Sequence, residues 1–178
     1  MRRLLVMMLM ALSVTAVAPA LTASPAFAAE ARCSTGEPWP LPWWWGNVNA
    51  RIRTGATKVL SVPSGSDVLL QTYRSVNSQK WVHDCIGYDS VTGLNIWKLR
   101  YAADTSRCLD IASPGIASLN VCNSYTSQSW EKVPIGSYTA LRSVGFSGEC
   151  LQPIGAGTAD GTLVVVESCH YGDSQLWW

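Results

Sequence analysis

Charge is scarce in this 178-residue chain: only 14% of residues are Asp, Glu, Lys or Arg, and they nearly balance at +1. With no basic stripe, binding nucleic acid or anionic lipid by charge neutralisation is not expected. Histidine is rarer still, two residues, and neither His83 nor His170 has ligand-like spacing. No C-x-x-C motif is present, so no metal site or cofactor is expected. The chain also lacks a G-x-S-x-G nucleophile elbow. Gly55-Ala56-Thr57-Lys58 lacks the upstream glycine of a phosphate-binding loop. The acids are scattered rather than paired across one cleft, as glycoside hydrolysis would need. No catalytic residue is therefore assigned, and an enzyme is not expected. Amphipathic helix patterns are missing after the first segment.

That first segment is the one long apolar run. Arg2 and Arg3 precede Leu4 to Val17, and a small-residue stretch ends in Ala26-Phe27-Ala28. A positive start, an apolar centre and an A-x-A ending read as a secretory signal peptide over 1–28, which places the mature chain outside the cell. The run is shorter than the ~20 residues of a membrane span. Removing Arg2 and Arg3 leaves 11 basic against 12 acidic residues.

What is present is repetition. Gln79-Lys80-Trp81, Gln128-Ser129-Trp130 and Gln175-Leu176-Trp177 share a Gln-x-Trp pattern, each preceded by Ser. The tryptophans lie 49 and 47 residues apart, a period that signals a repeat architecture. Leu60 and Leu109 each precede their Trp by 21 residues, and Leu151 precedes Trp177 by 26 across a longer Gly-rich turn, 155–161. Ile52-Arg53, Leu99-Arg100 and Leu141-Arg142 continue the register upstream. Runs such as Asn49–Arg53 and Trp97–Tyr101 alternate apolar and polar residues, the mark of half-buried strands. Clusters such as Pro63–Asp67 and Ser113-Pro114-Gly115 punctuate them. Together these predict an all-β fold with repeats at about 48–83, 84–131 and 132–178.

The three Gln-x-Trp copies, with Cys108-Leu109-Asp110 and a second Cys ahead of the Gln, make the chain resemble the ricin-type lectin family from about residue 46 to its end. The resemblance implies a β-trefoil with Trp81, Trp130 and Trp177 in a shared core. All six cysteines follow the leader, which in a secreted chain reads as disulfides. Sequence alone allows 15 pairings. The repeat register makes Cys108 and Cys122 equivalent to Cys150 and Cys169, so that each pair closes its own repeat. Cys33 and Cys85 are then left to each other.

Residues 29–47 stand apart as a Trp/Pro-rich arm, with Trp39, Trp43, Trp44 and Trp45 among its prolines. Two readings remain: a cap on the barrel tied down through Cys33–Cys85, or an exposed aromatic platform in which Trp43, Trp44 and Trp45 meet a partner.

The resemblance also implies where sugars bind. An Asp after Cys-Leu accepts from two hydroxyls, an aromatic two residues before the second Cys stacks on the ring, and an Asn before the Gln completes the set. Here Asp110 keeps the first role. The stacking positions hold Gln71, Asn120 and Glu167. The Asp position is Ser61 in the first repeat and Gln152 in the third, and Ser78, Ser127 and Ser174 replace the Asn. Candidate carbohydrate-binding residues are therefore Asp110, Asn120, Asn123, Tyr125 and Gln128 in the second repeat. In the third they are Gln152, Glu167, Tyr171 and Gln175, beside His170. Against this, Asp110 reads equally as a turn residue bonded to its own backbone, Tyr125 and Tyr171 as ordinary loop aromatics, and His170 as a solvated loop side chain. The expected role is a non-catalytic lectin module for a glycan or polysaccharide. The alternative is a degenerate trefoil that binds a secreted protein partner, as a toxin or enzyme subunit or a hydrolase inhibitor.

Overall fold

The computed structural model describes residues 57–112 and 114–177. The leader, the Trp-rich arm with Trp43–Trp45, the Asn49–Arg53 strand and Cys33 lie outside the described residues. Within them the chain forms ten strands. They are β1 (Lys58–Ser61), β2 (Leu69–Thr72), β3 (Trp81–Asp89), β4 (Leu94–Tyr101), β5 (Asp104–Ala112), β6 (Ile116–Val121), β7 (Trp130–Ile135), β8 (Tyr138–Ser143), β9 (Glu149–Pro153) and β10 (Thr162–Ser168). No helix among the described residues is long and apolar enough to cross a membrane.

Antiparallel pairing closes the sheet on itself. From β4 the ladder runs through β5, β6, β10, β9, β8 and β7 and returns to β4. The β1–β2 hairpin joins this ring through β10, and β3 joins it through β4. Local sequence explains the corners. β7 and β8 meet at a two-residue loop, Ile135 facing Tyr138. Its first residue, Gly136, has φ +63°, a left-handed conformation that glycine takes without Cβ strain and that hairpin loops of this length use.

Three lobes repeat one construction: a hairpin (β1–β2, β5–β6 or β9–β10), a loop, a three-residue 3-10 turn and a tryptophan. The turns are Asn77–Gln79, Thr126–Gln128 and Asp173–Gln175. Trp81 and Trp130 are fully buried and Trp177 nearly so. Each indole N–H points back to the backbone carbonyl of its own lobe's first leucine: Leu60 at 3.4 Å, Leu109 at 3.4 Å and Leu151 at 3.1 Å. The three rings share one core with Leu60, Leu99, Leu109, Leu141 and Leu151. Burying one such ring removes on the order of 200 Å² from water, about 5 kcal/mol of gross transfer free energy at ~25 cal/mol/Å². The partnered N–H removes the polar cost of burying it.

Two disulfides brace the second and third hairpins, Cys108–Cys122 and Cys150–Cys169. Cys85 on β3 is disulfide-bonded as well.

Candidate functional site

The repeated construction begins with the glutamine that precedes each tryptophan by two residues. In every lobe its amide spans the loop ahead of the 3-10 turn. Gln79 accepts from the Arg74 N–H at 2.7 Å and donates to the Thr72 carbonyl at 2.8 Å. Gln128 accepts from Asn123 N–H and donates to the Val121 carbonyl, both at 2.9 Å. Gln175 accepts from His170 N–H at 2.8 Å and from Tyr171 N–H at 3.0 Å, and donates to the Ser168 carbonyl at 3.0 Å. All three side chains are buried. Gln128 and Gln175 are thus structural clamps beneath the candidate pockets, and only their spare hydrogen-bonding capacity faces the site.

In the second lobe that capacity meets a carboxylate. Asp110 lies on β5, opposite Ser118 of β6, and is 8% exposed. It is not a self-bonded turn residue: its Oδ2 accepts from Gln128 Nε2 at 3.0 Å and from Asn120 Nδ2 at 3.2 Å. Asn120 reaches back to the Ser118 hydroxyl at 3.0 Å. The other carboxylate oxygen, Oδ1, is buried with no hydrogen-bond partner among the described residues. At the rim, Asn123 Oδ1 accepts from Tyr125 N–H at 2.8 Å, the Asx turn that a short polar side chain favours. Tyr125 is 70% exposed, as is Val121. The structure thus brings Asp110, Asn120, Asn123, Tyr125 and Gln128 into one continuous network.

Lys98 belongs to this network and was not among the candidates. The alternation of Trp97–Tyr101 puts it on the solvent side of its strand. Instead it is buried, and its Nζ donates to the Asn123 carbonyl at 2.5 Å. Burial pushes its ammonium pKa below the usual lysine value; Arg100 adds to that and Asp110 opposes it. No local signal reveals this, because its partner lies 25 residues downstream.

The third lobe is built differently. Gln152 is buried, and both ends of its amide are used inside the protein. Its Oε1 accepts from Gln175 Nε2 at 3.0 Å and faces His170 Nε2 at 3.2 Å, while its Nε2 donates to Glu167 at 2.7 Å. His170 Nδ1 accepts from the Gly172 N–H at 3.0 Å. With Nδ1 accepting, Nε2 carries the proton and donates to Gln152. His170 is exposed at its surface yet fixed at both nitrogens, unlike a freely solvated loop histidine. Tyr171 adopts φ +54° and packs beside Ala140, Cys150 and Leu176. Its side chain is partly buried against that cluster. Arg142, close by, is paired with Glu131 at 2.6 Å.

In the first lobe the Asp position holds the buried hydroxyl of Ser61. The polar residues at that hairpin's end serve a clasp: Asp160 accepts from Lys58 Nζ and Thr72 N–H, both at 2.6 Å. Among the described residues no group of three or more His, Cys, Asp or Glu is placed to hold a metal ion.

No family model matches the chain, and no curated protein is detectably similar to it. Solved structures do match. A chain of a mosquitocidal holotoxin superposes with a TM-score of 0.63 at 20% identity over 72% of this chain. This chain spans only 16% of that chain's length. A designed threefold-symmetric protein, ThreeFoil, gives 0.61 at 25% identity, covering 74% of this chain and 96% of its own. The agglutinin of Rhizoctonia solani gives 0.60 at 20% identity, covering 79% and 96%. These likenesses, with the closed ring and its three equivalent lobes, establish the architecture: the chain has a β-trefoil-like fold.

Proposed function

We propose that this chain is a secreted, non-catalytic carbohydrate-binding module of lectin type, and that its working pocket is in the second lobe. The observation that carries the reading is the Asp110 carboxylate. One oxygen is anchored by Gln128 and Asn120, and the other has no hydrogen-bond partner among the described residues. An unpaired buried acceptor costs roughly 1–3 kcal/mol; the oxygen is sealed in the unliganded chain, so a sugar hydroxyl relieves that cost by displacing the side chains that cover it. Asn120 and Ser118 beside it offer further polar contacts, and Tyr125 offers an aromatic face at the rim. The third lobe has spent its equivalent groups on itself, and the first has no carboxylate at that position. Likeness to an agglutinin fits this reading. Secretion is supported by the leader pattern and by disulfide bonding of every described cysteine, a state favoured outside the cytosol.

The test is retention of the mature protein on a glycan array and on insoluble polysaccharides. Wild type and Gln152→Ala are expected to be retained by the same glycan, and Asp110→Ala to lose it while keeping its far-UV spectrum. Failure to bind any glycan, or binding indifferent to Asp110→Ala, overturns the proposal.

A second reading, a module that docks a secreted protein, is favoured by one feature. Where the resemblance implies a stacking aromatic, the hairpins carry polar Gln71, Asn120 and Glu167. A partner that co-purifies from culture supernatant and is lost when Trp43–Trp45 become Ser would support it.

A further inference from the structure

The buried cation beneath the second lobe needs an explanation that the scaffold does not supply. An ammonium group taken out of water is costly unless it is paired and hydrogen-bonded. By the Leu-Arg register, the counterpart of Lys98 in the third lobe is Ala140, which is fully buried. The fold therefore does not require a charge at this place in the ring. The loop that follows β10 keeps its shape without one, using the amide of Gln175 and the imidazole of His170.

In the second lobe Lys98 takes over that duty from a different strand. Its Nζ holds the carbonyl of Asn123. The same residue gives its N–H to Gln128 and takes the Tyr125 N–H on its side chain. Lys98 thus reaches both ends of the pocket: the rim that carries Tyr125 through a charge-assisted bond, and the floor through its attraction to Asp110. The other charges near it are accounted for. Asp84 stands opposite Lys98 in the β3–β4 register, but its carboxylate is taken by Arg100. Arg100 also donates to the Thr105 carbonyl.

We infer that Lys98 is a positioning residue of the second-lobe pocket, fixing the Asn123–Tyr125 rim over Asp110. The inference rests on the carbohydrate-binding reading for its functional half, and its structural half stands without it.

The experiment compares wild type with Lys98→Met, which keeps the length of the side chain and removes the charge and the donor. Amide spectra of isotope-labelled protein read the rim directly. In Lys98→Met the Asn123, Ser124 and Tyr125 signals are expected to shift and to exchange with solvent at least tenfold faster, while those of His170–Gly172 stay in place. In wild type the same rim signals are expected to move as pH is raised, starting below the range of an exposed lysine, and in the variant to stay flat. Retention on the glycan that wild type binds is expected to weaken at least tenfold in the variant. The wild-type retention should also fall on the alkaline side, and the residual binding of the variant should not. Rim signals unchanged in Lys98→Met overturn the inference, as does unaltered glycan retention despite a shifted rim. Wild type binding no glycan defeats the carbohydrate reading, and the rim signals still decide whether Lys98 fixes the loop.

Discussion

Lowering the pH should destabilise this protein through the imidazole of His83. His83 lies on β3, and its Nε2 is sealed from solvent with no hydrogen-bond partner among the described residues. Burial, reinforced by the nearby charge of Lys132, lowers its pKa from 6.5 to about 3. The unfolded chain takes up a proton on this side chain at about pH 6.5, and the folded chain does so only near pH 3. Between those values the unfolded state binds more protons, so stability falls as pH falls. Each pH unit in that window costs about 1.4 kcal/mol. At pH 5 the unfolded form is almost wholly protonated and the folded form is not, giving a loss of about 2 kcal/mol relative to pH 7.5. The assay is urea unfolding with disulfides intact, at pH 7.5 and pH 5, for wild type and His83→Gln. Carboxylates contribute to both proteins alike, so the difference between their pH responses isolates the imidazole. Wild type should lose about 2 kcal/mol more than the variant. An equal loss in both, or a folded-state His83 resonance titrating near 6.5, refutes the reasoning.

Two further outcomes follow from packing and from crosslinks. Gly145 lies against the 3-10 turn of the second lobe, where an added Cβ would come within 2.7 Å of the Ser127 nitrogen and 2.8 Å of the Thr126 carbonyl carbon. Gly145→Ala should therefore destabilise by about 1–3 kcal/mol, read as a lower urea midpoint with an unchanged slope. Replacing Cys108 and Cys122 together by Ser opens a loop with a sequence separation of 14. It should cost about 3 kcal/mol if chain entropy dominates, measured by the same unfolding curves.

The scaffold was legible because its signals are short-range and repeated. A glutamine, a tryptophan two residues on and a leucine 21 or 26 residues before suffice to define a lobe. In the structure those residues make the same hydrogen bonds three times. Asp110 was legible by position, but its partners were not, since the choice between a turn and a clamped carboxylate depends on Gln128 from another segment. Lys98 was invisible because strand alternation reports which face a residue occupies. It does not report whether a loop from 25 residues away folds over that face. Tyr171 read as a rim aromatic because sequence does not reveal the Ala140, Cys150 and Leu176 cluster against which it packs. The self-consumption of Gln152 by Glu167, His170 and Gln175 is likewise a property of three-dimensional neighbours.

Each loop hangs from an amide that grips main-chain atoms, and each lobe adds its own side chains to that grip. The shared amide leaves those additions free to differ, Lys98 and Asn123 in the second lobe and His170 in the third. Such a frame can lose a ligand in one third of itself and keep, or gain, another elsewhere, so it lends itself to piecemeal divergence rather than all-or-none change.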